Sequence, residues 1–121
     1  MSFEPLEYLR HILIEAAYLD AQSSKTDRDS FLADLTLQRA FVRSLEIIGE
    51  ASKKIPDEWR SRHSEIEWRA MARMRDRLIH AYFGVDHELI WDVVINKIPT
   101  LRMQVERILD ENNGAAAKAP E

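Results

Sequence analysis

The chain has 121 residues, 45% of them hydrophobic and 31% charged, with a formal net charge of −4 and no cysteine. That length builds one compact domain rather than two, and the lack of cysteine excludes disulfides and thiolate metal sites, as suits a reducing compartment. No apolar run approaches the ~20 residues that span a bilayer, and the opening Met-Ser-Phe-Glu-Pro lacks the basic-then-apolar layout of a signal peptide, so a cytoplasmic protein without a membrane partner is expected.

Taken in order, the elements are all helical. Glu4-Pro5 opens a first helix to about Gln22, with Leu6, Leu9, Leu13 and Ala16 as its apolar stripe. Ser23 to Asp27 is a polar connector, and a short helical piece near Asp29–Asp34 leads into a long helix ending at about Lys54. On that helix Phe41, Leu45, Ile48 and Ser52 share one line. Pro56 disfavours helical geometry at Ile55 and can start a short helix through Trp59 to Arg62. Ser64-Glu-Ile-Glu67 has the form of a capping box, which predicts a helix from there to Phe83 with Gly84 as a left-handed C-terminal cap. Asp86 caps the next helix, Val85 and Ile90 have staple spacing, and Leu89, Val93, Leu101, Val105 and Ile108 carry the apolar face past a kink or restart at Pro99. Residues 1–111 thus form a single all-α domain, an up-and-down bundle of four to five main helices. Asn112 to Glu121 reads as a flexible low-complexity tail.

Charge is unevenly spread. Residues 53–77 hold eight basic and five acidic side chains, a local +3 in an acidic chain. This segment runs into Arg75-Asp-Arg-Leu-Ile-His80-Ala-Tyr82, an R-x4-H-x-Y pattern inside a predicted helix. Histidine moves protons near neutral pH, and the arginine fork holds phosphate oxygens or a developing phosphorane charge. With the ribose 2′-hydroxyl as nucleophile, that pair is enough for RNA cleavage without a metal. Arg69, Arg73 and Arg77 are the accompanying candidates for phosphate contact.

On a helical wheel Met71, Met74, Leu78 and Tyr82 make the core stripe, and Arg75 lies only ~40° from Met71. His80 falls ~180° from Met71, on the polar face, with Asp76 one turn below it and placed to orient the imidazole. Arg75 and His80 are then ~140° apart, so either the helix distorts or a second chain completes the site. A two-fold homodimer is the expectation, with Gly49 and its flanking isoleucines as a further sign of buried helix surface. Each group also has an ordinary reading: His80 as a solvated histidine, Arg75 as a snorkelling or paired arginine, Tyr82 as a core aromatic with its hydroxyl at the rim.

Glu46 and Glu50 stand at i, i+4 on the long helix, but the Glu-x-x-His pairs of a di-iron bundle are missing and no metal is expected. Arg43 has the spacing to pair with Glu46. Gly49, in a helix interior, costs roughly 1 kcal/mol against alanine, which the close approach of another helix would offset. Phosphate loops, nucleophile elbows and zinc spacings do not occur, and no cofactor is expected.

The R-x4-H-x-Y motif at Arg75–Tyr82, with polar Asp76 after the arginine, resembles that of HEPN-domain ribonucleases. More narrowly, the segment Arg43-Ser-Leu-Glu-Ile-Ile-Gly-Glu-Ala51, Trp68, the motif itself and the Trp91 helix resemble the HepT toxin family over most of residues 5–110. The resemblance implies an all-helical homodimer whose two motifs line one cleft, and metal-independent cleavage of RNA. It also implies a place in a type VII HEPN/MNT toxin–antitoxin module, in which a minimal nucleotidyltransferase of the MNT type silences the toxin by attaching AMP to the motif tyrosine, here Tyr82. Arg75 and His80 would be catalytic, with Asp76 and Tyr82 in support. The alternative is a non-catalytic helical dimer that binds a nucleotidyltransferase or a nucleotide, with Arg75 as phosphate anchor.

Overall fold

The computed structural model describes residues 4–80 and 84–118, with side-chain surroundings as far as residue 112. Seven helices and no strand occur among the described residues: α1 (Pro5–Ser23), α2 (Arg28–Leu32), α3 (Leu35–Lys54), α4 (Asp57–Arg62), α5 (Trp68–His80), α6 (His87–Asn96) and α7 (Ile98–Lys118). Local chemistry explains most boundaries. Pro5 sits in the first turn of α1, where its missing N–H costs nothing. Asp27, Asp34 and Asp86 each accept a hydrogen bond from a backbone amide three residues on, from Ser30 (2.8 Å), Leu37 (3.0 Å) and Leu89 (3.1 Å), and so cap α2, α3 and α6. Lys97 is the single residue between α6 and α7, and Pro99 falls in the first turn of α7, a restart rather than a kink.

Helix α3 is the centre of the bundle. It packs most extensively on α5, then on α1, and α1 in turn packs on α7. The line Phe41, Leu45, Ile48 and Ser52 is buried throughout, as its spacing requires. In α1 the buried set is Leu9, Ile12, Ala16 and Leu19, while the expected Leu6 and Leu13 only flank the core. Leu101, Val105 and Ile108 of α7 are buried with Ile90, Trp91 and Val94 of α6, whereas Leu89 and Val93 are partly exposed. Phe31 joins three helices, its ring 4.9 Å from that of Phe41 and 5.3 Å from that of Trp91. Gln38 donates from Nε2 to the carbonyls of Phe31 (3.0 Å) and Leu32 (2.9 Å), satisfying the C-terminal end of α2.

One local expectation gives way to tertiary contacts. Helix α5 begins at Trp68, not near a Ser64 cap. Ile66 and Trp68 are buried, and the Trp68 indole N–H donates to the His63 carbonyl at 3.0 Å, which holds residues 63–66 as a turn. The helix end expected at Phe83, with its Gly84 cap, lies outside the described residues; from Gly84 the chain runs without helical structure into extended Asp86. Helix α7 runs to Lys118. No described helix is long and apolar enough to cross a membrane.

Candidate active site

The site is built where α5 crosses α3. A Cβ added to Gly49 would collide with the Cβ of Arg75 and come 2.7 Å from the Met71 carbonyl oxygen, so the bare glycine is what allows the two backbones to lie this close. The approach that Gly49 predicts is therefore satisfied within one chain, and the glycine gives no separate sign of a second. With its stem on Gly49, Arg75 reaches back along α3. Its Nη2 donates to Glu50 Oε2 at 2.8 Å and its Nη1 to Asp76 Oδ1 at 3.1 Å, leaving a quarter of the side chain exposed.

Asp76 is tied to α3 as well. The same Oδ1 accepts from Lys53 Nζ at 3.2 Å, and these cationic donors, Lys53 first and then Arg75, hold the Asp76 carboxyl below the ordinary aspartate range. The carboxylate is thus spent on α3 and Arg75 rather than on His80, contrary to the expectation from spacing. The backbone does that task instead: His80 Nδ1 lies 2.8 Å from the Asp76 carbonyl oxygen, one turn below. A carbonyl only accepts, so Nδ1 carries the proton and Nε2 of neutral His80 presents its lone pair outward.

Helix α5 is regular from Trp68 to His80, so distortion does not bring Arg75 and His80 together. Arg75 faces α3 and His80 is exposed, as the wheel predicts. Arg69, Arg73 and Arg77 are exposed along the same outer arc as His80, and none has a carboxylate within ion-pair distance among the described residues. Tyr82 lies outside the described residues. An apolar groove runs between α5 and the α6–α7 junction, lined by Ile48, Met71, Met74, Val93 and Leu101, and includes none of Arg75, Asp76 or His80. Among the described residues no cluster of three metal-ligating side chains forms. Glu46 pairs with Arg43 at 3.9 Å, and Glu50 goes to Arg75.

The model of the ribonuclease HepT-like family matches residues 6–108. The chain belongs to the HepT-like ribonuclease family. Among curated relatives, a provisionally named RNase of Caldanaerobacter subterraneus subsp. tengcongensis is 48% identical over 107 residues, covering 88% of this chain and 96% of that one. A protein of Thermococcus cleftensis, named with the same reserve a ribonuclease HepT, is 45% identical over 102 residues, or 84% and 93% of the two chains. A further provisionally named RNase, from Methanocaldococcus jannaschii, is 46% identical over 86 residues, 71% of each chain. No solved structure matches.

In this HepT-like chain, Glu50 and Lys53 are the site residues that sequence reading did not assign. Both sit one to four positions after Gly49, and that glycine was the available signal: the residues beside a close helix crossing are the ones that reach the neighbouring helix.

Proposed function

We propose that this protein is an endoribonuclease toxin that cleaves RNA by attack of the 2′-hydroxyl, with a composite Arg75/His80 site at the interface of a homodimer. The observation that carries the reading is the His80 hydrogen bond to the Asp76 carbonyl, which leaves Nε2 free to accept a proton, in a chain of the HepT-like ribonuclease family. Nε2 of His80 removes the 2′-hydroxyl proton as the 2′-oxygen bonds to phosphorus. Arg75 stabilises the phosphorane, the bond from phosphorus to the 5′-oxygen breaks, and His80 of the partner subunit or water protonates that oxygen. The products carry 2′,3′-cyclic phosphate and 5′-hydroxyl ends. No metal is required by this route, because the nucleophile belongs to the substrate.

The shared site is supported by exposure. His80 stands on an open helix face outside the apolar groove, and Arg75 projects toward α3, so one regular helix does not enclose a phosphate between them. Arg69, Arg73 and Arg77 are proposed to track the RNA backbone toward His80. Tyr82, with the motif as its support, is proposed to position the phosphate and to receive AMP from an MNT-type nucleotidyltransferase antitoxin.

The test is to treat a short single-stranded RNA and its fully 2′-O-methylated counterpart with purified protein in EDTA. Cleavage of the RNA alone, leaving cyclic phosphate ends, is expected, and the protein should sediment at twice its 14.1 kDa chain mass. Equal cutting of the methylated strand, or full activity in a clean monomer, would reject the mechanism or the shared site respectively. Strong nucleotide binding with no cleavage would favour the non-catalytic module instead.

A further inference from the structure

Glu50 lies outside the R-x4-H-x-Y motif, 25 residues before Arg75, yet it holds one arm of that arginine at 2.8 Å. Its side chain is 48% exposed, and ion pairs so open to water contribute little to stability. The contribution of the contact to stability is therefore small. Its geometry does have a consequence for Arg75. An arginine side chain has many rotamers, and here three contacts remove them: the stem rests on Gly49, Nη2 is held by Glu50, and Nη1 is held by Asp76. Two of the five guanidinium N–H donors are used in this way, which leaves three for phosphate oxygens.

Asp76 is itself fixed to α3 by Lys53, three residues after Glu50, and its backbone carbonyl accepts the hydrogen bond from His80 Nδ1–H. The stretch from Gly49 to Lys53 thus forms a template under α5. Fixing the fork before substrate arrives means that no ordering cost falls in the transition state.

We propose that Glu50 is a positioning residue that orients the Arg75 guanidinium for phosphorane stabilisation; this rests on the RNA-cleaving function proposed above. The opposing possibility is that Glu50 sequesters Arg75 and restrains it, and the two predict opposite signs. Glu50→Ala and Glu50→Gln are compared with the parent in steady-state cleavage of a short single-stranded RNA. In parallel, the Arg75 guanidinium protons of the free proteins are observed by NMR.

Glu50→Ala is expected to lower kcat about 10- to 100-fold, the scale of a small displacement of a catalytic group, with KM changed less than about threefold. Glu50→Gln, which keeps an accepting oxygen, should recover most of the rate. The separate, slowly rotating Nη signals of the parent should survive in Glu50→Gln and merge in Glu50→Ala. Cleavage by Glu50→Ala at or above the parental rate, or an unchanged Arg75 spectrum, overturns the proposal. A parent that cuts no RNA overturns the functional reading instead, and the spectrum still decides whether Glu50 orients the fork.

Discussion

Gly49 and Arg75 occupy the same point of the α3–α5 crossing: the hydrogen of the glycine is the space that the arginine stem fills. Packing and chemistry meet there, since the contact that lets α5 dock also sets where the guanidinium begins its reach to Glu50.

Gly49→Ala should therefore destabilise the fold, although alanine is the better helix former. A methyl group pressed against the Met71 carbonyl and the Arg75 Cβ forces the helices apart, an overpacking that typically costs 1–3 kcal/mol, against which helix propensity returns roughly 1 kcal/mol. A net loss of up to about 2 kcal/mol is expected, seen in urea unfolding as a lower midpoint with an unchanged slope. A midpoint equal to or above that of the parent would show that the crossing has slack.

His80 is exposed and makes its only described hydrogen bond to a backbone carbonyl, so His80→Ala removes chemistry and little else. RNA cleavage should fall by about 10²–10⁴-fold, the usual contribution of one proton-transfer group. Stability should stay within about 0.5 kcal/mol of the parent. A purified variant that cuts RNA at the parental rate would remove His80 from the mechanism.

Arg73, midway along the arginine ladder that has no ion-pair partner among the described residues, should act through phosphate alone. Arg73→Ala is expected to weaken binding of single-stranded RNA evenly across sequences and to reduce the slope of log K against log salt by about 0.7. Fluorescence anisotropy over a salt series measures both. A change that depends on base identity, with the slope intact, would contradict phosphate tracking.

Asp76 should report the template electrostatically. Its carboxyl is held low by the hydrogen bond from Lys53 and then by Arg75, so the folded value lies below the unfolded one. The stability it contributes is present above the ordinary aspartate range and is lost as pH falls through that lowered value. Carboxyl NMR should find Asp76 titrating below the ordinary range, and Lys53→Ala should move it upward. No movement in that variant would mean that Lys53 does not engage Asp76 in solution.

The helical class, most boundaries and the motif helix follow from residues that act within a turn or two of themselves. Pro5, Asp34, Pro56, Asp86 and Pro99 start or stop helices through their own backbone chemistry, and the line Phe41–Leu45–Ile48–Ser52 marks the buried face of α3 by spacing alone. The separation of Arg75 from His80 around the helix is likewise a matter of period. Tertiary structure decided the rest, because it depends on which helix lies alongside. Burial of Trp68 and its bond to His63 moved the start of α5 past the Ser64 box. Glu50, read in the sequence as half of an i, i+4 carboxylate pair and as part of the Arg43–Ala51 segment, became the holder of Arg75 because Gly49 admits α5 at that turn. Asp76 turned its carboxylate to Lys53, 23 residues away, and left His80 to its carbonyl, since an ammonium brought within 3.2 Å competes for a carboxylate more strongly than a neutral imidazole.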